Sequence, residues 1–317
     1  MATATSLKQI ISDSDTEWTA IDLSNQQIDS KQAKKLAKAL IKLKYSINEI
    51  NLSNNQISSQ GAMGIAKVIE KHHRINSLNL SNNPIGAIGI KQIAHSLQNL
   101  KFLKELKLSN NKIDDIGAKY LHEGLKEGIN LEILDLSNNR IKGNGTVSIS
   151  QIIGKNCKLT ELNLENNQLS NINSHKLDGY KMLINALGKQ SKLAKLNLQN
   201  THLIDEFLAL LADNVLSKAY NLVELNLSNN SFNEGALVKL SISLESNNKL
   251  TKLYLQNTQL TNEAMKSLAE GLKNNEEYEP EITSVLRCAI HEGDEISGVP
   301  VEVHQSGENS QEPDAAD

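Results

Sequence analysis

One eleven-residue pattern constrains this chain more than anything else in it. LKELKLSNNKI, at Leu103–Ile113, has near-copies beginning at Trp18, Ile47, Ile75, Leu131, Leu159, Leu193, Leu222 and Leu250. Successive copies lie 29, 28, 28, 28, 28, 34, 29 and 28 residues apart. A period of that size is the length of one strand plus one helix, so residues 18–275 are expected to stack as like units. No unit could bury its apolar face alone.

Each position of the pattern has a physical role. Positions 4 and 6, Leu106 and Leu108 in the fourth copy, point to one side of a short strand, and positions 3, 5 and 7 point to the other. The leucine side is expected to be core. The turn after the strand hides backbone groups that need partners, and position 9 offers a carboxamide that both donates and accepts. Asn55, Asn83, Asn111, Asn139, Asn167 and Asn230 should therefore form a ladder. Gln26, Thr201 and Thr258 hold this position in the other copies, and a threonine hydroxyl has one donor, so those turns should be less well tied. Position 8 should face water.

The second half of each unit has apolar residues at helical spacing, as in Gly117, Leu121 and Leu125 or Gly89, Ile93 and Leu97. Gly61, Gly89, Gly117 and Gly145 recur 28 apart where a helix should start close against its strand. Strands inside and wider helices outside predict an α/β fold: a curved solenoid, or horseshoe arc, with parallel strands concave and helices convex.

LxxLxLSNNxI with GAxxLA resembles the ribonuclease-inhibitor type of leucine-rich repeat. The type is shared by sensor domains of cytosolic innate-immunity receptors, Ran GTPase-activating proteins and leucine-rich-repeat effectors of intracellular bacteria. The resemblance implies a fold and a binding role, since functions are grafted on such scaffolds site by site.

The rest of the sequence fits that frame. With only 3% aromatic residues, leucine and isoleucine must carry the core. Residues 1–17 read as an N-terminal cap, with Leu7, Ile10 and Ile11 on one side of a short helix. Trp18 opens the first repeat, as cap core or as a binding residue. The segment Lys31–Lys44 is lysine-rich, either a solvated convex face or an attraction for an acidic partner. Residues 276–290 read as a C-terminal cap through Ile282, Val285, Leu286 and Ile290, and 291–317 as a disordered acidic tail. Residues 276–317 hold twelve acids and one base, a net −11, against +7 for the remainder. The tail has three readings: a solubilising segment, a segment that folds back on the repeats, or a secretion signal.

Two cysteines, Cys157 and Cys288, are too few for disulfide-stapled caps and favour a reducing compartment. Asn51-Leu-Ser, Asn79-Leu-Ser and Asn226-Leu-Ser are glycosylation sequons on expected inward-facing strands, where sugars would block the concave face. The N-terminus lacks a basic region followed by an apolar run, and no apolar stretch spans a bilayer. The expected location is cytoplasmic, with translocation into a host cell by a non-classical route if the effector resemblance holds. Lysine far outnumbers arginine, and isoleucine and asparagine are abundant, a bias of AT-rich genomes that fits the effector reading.

No catalytic, phosphate-binding or dinucleotide motif occurs, and His72-His73 lacks the spacing of a zinc pair. The sequence therefore reads as non-enzymatic, with no cofactor or metal and a protein partner rather than nucleic acid, membrane or small molecule. The expected partner site is the C-terminal concave face and adjoining rim: Glu165, Lys195, Gln199, Glu224, Lys252, Tyr254 and Gln256. There the serine row at position 7 breaks, lysines enter position 3, and the one aromatic on an inward strand position appears. The only long insertion, residues 170–178, falls beside them. The alternative is a GTPase regulator resembling Ran GTPase-activating proteins, which would have to draw an arginine finger from Arg74, Arg140 or Arg287.

Overall fold

The computed structural model describes residues 2–12, 16–125, 130–156, 158–170, 178–217 and 221–273. The expected C-terminal cap, the acidic tail, both cysteines and all but the ends of the repeat-six insertion lie outside the described residues.

Ten parallel strands form one sheet in sequence order. They are β1 (Ala2–Ala4), β2 (Trp18–Asp22), β3 (Glu49–Asn51), β4 (Ser77–Asn79), β5 (Glu105–Lys107), β6 (Ile133–Asp135), β7 (Glu161–Asn163), β8 (Lys195–Asn197), β9 (Glu224–Asn226) and β10 (Lys252–Tyr254). Helices alternate with them: α1 (Leu7–Ser12), α2 (Ser30–Lys42), α3 (Ser59–Lys71), α4 (Gly86–Leu97), α5 (Asp115–Leu125), α6 (Gly143–Lys155), α7 (Asp178–Leu187), α8 (Asp205–Leu211), α9 (Glu234–Glu245) and α10 (Asn262–Lys273). Nine strands are the expected ones. The tenth, β1, pairs with β2 and joins α1 in covering the first repeat. Trp18 is buried at that junction, as cap core requires.

The register follows the repeat. Leu78, Leu106, Leu134 and Leu162 face one another across β4–β7, all buried, with their strand neighbours half exposed. Positions 1, 4, 6 and 11 of the fourth repeat (Leu103, Leu106, Leu108 and Ile113) are fully buried. Each such side chain contributes roughly 1.5–3 kcal/mol relative to exposure, so one continuous core runs the length of the array.

Glycines set how close the layers come. A Cβ on Gly89 would lie 2.5 Å from Ile85 Cγ2 and 3.0 Å from Ser59 Cα, so this glycine admits the turn and the preceding helix, not the strand. At Gly124 a Cβ would lie 2.3 Å from Ala94 O, because α5 touches the backbone of α4 there. The extra residue of the 29-residue seventh repeat is taken up in its helix, where α8 runs on into a π-helical turn, Ala212–Leu216.

Packing is uneven along the arc. From α2 to α10 each helix lies against its neighbours, and α7 meets the α8 segment through the smallest contact of the series. Tyr180 bridges this seam with its ring against Phe207, centroids 5.1 Å apart at 62°, and its hydroxyl donates to His202 O at 3.2 Å. Burial pushes the Tyr180 phenol up to about 12, so it stays protonated and able to donate.

A candidate partner-binding face and rim

The turns that frame the concave face rest on two asparagine ladders. In the inner one, Asn139 Nδ2 donates to Leu136 O and Ser137 O of its own repeat and to Leu108 O of the repeat before. Its Oδ1 accepts from the amides of Asn111 and Ile113, both at 3.0 Å. Asn55, Asn83, Asn167 and Asn230 make the same backward link to Leu23, Leu52, Leu136 and Leu198. Thr201 and Thr258 donate only to their own repeats, at Leu198 O and Leu255 O, so the side-chain link is missing across the 6–7 and 8–9 seams, and at the first of these the Leu169 amide donates to Thr201 O instead.

The outer ladder was not foreseen. Position 8 is exposed, as expected, except at half-buried Asn166, but Asn25, Asn54, Asn82, Asn110, Asn138, Asn166, Asn200, Asn229 and Asn257 all adopt left-handed φ between 50° and 58°. Asparagine tolerates that region better than other residues with a Cβ. Four bonds also run sideways between these side chains, from Asn110 to Asn82, Asn166 to Asn138, Asn200 to Asn166 and Asn257 to Asn229. Position 8 thus shapes the turn as well as facing water.

Position 5 carries a third commitment. Asp22, Asn51, Asn79, Asp135, Asn163, Asn197 and Asn226 each accept the amide of the residue two further on through Oδ1. The three sequon asparagines therefore already serve the strand ends.

The seven expected site residues do come together. Lys195, Glu224 and Lys252 stand side by side in one row of β8–β10, following Glu161, so the lysines alternate with carboxylates. Tyr254 is half-buried beside Asn226 in the next row. The position-7 departures are less free than their sequence suggests. Glu165 Oε2 accepts from Asn197 Nδ2 at 3.0 Å, Gln199 Oε1 accepts from Asn226 Nδ2 at 2.9 Å, and Gln256 Oε1 accepts from Ser228 Oγ. The serine row itself returns at Ser228. These departures have a structural use: each ties its strand end to the following or preceding repeat.

On the N-terminal part of the face, burial works to raise the Glu105 carboxyl. Hydrogen bonds from Lys107 and Ser77 outweigh it and hold that carboxyl below the usual range.

The rim where the helices begin carries a cleft of about 710 Å³ across repeats 4–7, lined in part by Asp114, Asp115, Ile116, Arg140, Lys142 and His202. One signal in the sequence points here: the insertion begins two residues after the lining residue Gln168. Among the described residues no cluster of three His, Cys, Asp or Glu side chains could hold a metal, and no helix is long and apolar enough to cross a membrane.

This architecture, with one α/β unit per period and an asparagine-tied turn, defines an open leucine-rich-repeat solenoid. The Leucine Rich repeat family profile matches residues 46–66, 72–94, 99–121, 155–172 and 246–269, and a second Leucine Rich Repeat profile matches 130–153. These segments are leucine-rich repeats, of the kind that serve in protein–protein interaction. No curated protein sequence matches the chain. Among solved structures, actin-binding site 2 of leiomodin-1 aligns at 19% identity over 58% of this chain and 86% of that one, with a TM-score of 0.36. A TDR receptor aligns at 16% identity over 85% of this chain, with a TM-score of 0.44, and the alignment spans 49% of the receptor's length. The tropomodulin C-terminal domain of Caenorhabditis elegans aligns at 16% over 58% of this chain and 93% of that one, with a TM-score of 0.37.

Proposed function

We propose that this chain is a non-enzymatic binding module that grips a protein partner with the C-terminal concave face and adjoining rim. The observation that carries this is the row Lys195–Glu224–Lys252, in register on β8–β10 with Tyr254 in the next row. It is a rigid polar surface of alternating charge with one aromatic, suited to recognition by complementarity. Tyrosine is a frequent interface anchor because it covers much area at low entropic cost. The sequence adds a finer setting: a host-directed effector working in a reducing, cytoplasmic compartment.

The test is affinity capture from a host-cell lysate with paired variants. Tyr254→Ala with Lys252→Ala should abolish recovery of the captured protein, while Glu49→Gln on the N-terminal strands should leave it unchanged. Capture lost with Glu49→Gln and kept by the C-terminal pair would move the site to the regular repeats.

A second reading, regulation of a small GTPase, has one observation in its favour. Arg140 is exposed on the rim and has no ion-pair partner among the described residues, as an arginine finger would need. A GTP hydrolysis assay over a panel of small GTPases separates the two, since only the second reading expects acceleration that Arg140→Ala removes.

A further inference from the structure

We propose that the chain's own C-terminal segment, centred on residues 296–304, docks in cis along the helix-start rim from Ile88 to His202. The proposal does not depend on the identity of any partner.

The receiving surface has an apolar and a cationic part. Ile88 and Ile116 hold the same position in successive repeats, in the opening turns of α4 and α5, and are 72% and 58% exposed. Two neighbouring isoleucines so open to water form an uncovered apolar strip. Ile116 also walls the cleft that holds Arg140, Lys142 and His202. The carboxylates in that cleft are already engaged: Asp114 Oδ1 accepts from the Gly117 amide at 2.9 Å, and Asp115 Oδ1 from the Lys142 amide at 2.6 Å. The three cationic or titratable side chains have no such use. Among the described residues none of them makes an ion pair; Asp114 and Asp115 keep their charge, so the cleft is formally near neutral, and what it offers an acidic side chain is the free head groups of Arg140 and Lys142.

The segment has the matching pattern. In ISGVPVEVH, at 296–304, Val299, Val301 and Val303 alternate with Pro300 and Glu302. In an extended backbone this puts valines on one side and the carboxylate on the other. Residues 292–317 hold eight acids and neither lysine nor arginine, so the flanks share the sign of Glu302. The lysine ridge of α2 supplies charge without an apolar strip, because its exposed residues are Lys31, Gln32, Lys34, Lys35, Lys38 and Lys42.

Length permits the contact within one chain. From Lys273 to Val299 the backbone can span roughly 85–90 Å. Five helix spacings from α10 to α5, at about 8–10 Å each, and one helix length to cross between rims, about 18 Å, total less than that.

The test is amide hydrogen exchange of residues 296–304 in the full chain at low salt. The expected result is at least about tenfold slower exchange than for the free peptide, with the protection lost in Ile116→Ser, Arg140→Glu and Glu302→Lys. Combining Arg140→Glu with Glu302→Lys should restore much of it. Glu302→Lys leaves the repeats untouched, so its effect is not one of misfolding. Free-peptide rates in the unsubstituted chain would overturn the proposal. So would protection removed only by Lys35→Glu with Lys38→Glu, which places the segment on α2, or protection that fades on dilution, which makes it a contact between two copies.

Discussion

His72 Nε2 lies 2.9 Å from the carbonyl oxygen of Leu40, one repeat back, and Nδ1 accepts the Ile47 amide at 3.4 Å. The ring closes the end of α3 while only 2% exposed. Asn156 and Asn247 stand at the same place in their repeats and donate to Leu131 O and Leu216 O, both at 2.8 Å.

Both His72 contacts are met by the neutral tautomer with its proton on Nε2. Burial lowers the affinity of the ring for a second proton, an effect opposed by the Leu40 carbonyl and assisted by Lys71. The unfolded chain takes up that proton as pH falls through about 6.5 and the folded chain resists it. The stability His72 contributes is thus present above that pH and lost below it. Melting temperatures at pH 7.5 and 5.5 should differ more for the native chain than for His72→Asn, and equal differences would show that the ring titrates freely.

Asn111 is an incomplete rung of the inner ladder. Pro84 precedes Ile85, whose amide turns to Asn83 O at 2.9 Å, and Asn111 Oδ1 is left buried without a donor. Asn139→Ala should therefore cost more than Asn111→Ala, within the range of about 1–3 kcal/mol for an unsatisfied buried group. Denaturant unfolding of the two variants decides it, and a larger loss for Asn111→Ala would contradict the assignment.

In the outer ladder, Asn110 at φ 50° is the residue to vary. Asn110→Gly and Asn110→Ala both lose the exposed bond to Asn82, but only alanine should lose about 1 kcal/mol more from the left-handed backbone. Chemical denaturation that ranks glycine below alanine would rule out a conformational role.

Gly124→Ala should be severe for so small a change. The added methyl meets Ala94 O, part of a neighbouring helix backbone that cannot swing aside as a side chain could. A loss of about 1–3 kcal/mol is expected. Gly154→Ala, whose Cβ would find its nearest atom at 3.8 Å, is the matched control and should hardly shift the melt.

The fold was legible because burial of leucines at a fixed period leaves one arrangement open. The paired asparagines were only half legible. Asn110 and Asn111 are the same residue type side by side, and nothing in the period says that one is chosen for its backbone and the other for its amide. The tolerance of asparagine for positive φ was the available signal. The concave face was harder to read, because bonds such as Asn197 to Glu165 run between residues 32 apart and leave no local trace. Such departures look idle until the strands are placed side by side.

The seam between repeats 6 and 7 lacks an inner-ladder rung, as the 8–9 seam does, and alone combines that loss with the thinnest helix contact from α2 to α10. Glu165, Tyr180 and Phe207 hold it from the concave and helical sides. In a nearest-neighbour array, stability is a sum of unit and interface terms, and one weak interface divides the sum. Repeats 1–6 and 7–9 should behave as two cooperative blocks, coupled through that trio, the β7–β8 pairing and the Asn200–Asn166 bond, with the shorter block opening first. The weak interface lies between the strand of Glu165 and that of Lys195, so whatever binds across both would act as a splint, bracing the arc where its helices hold one another least.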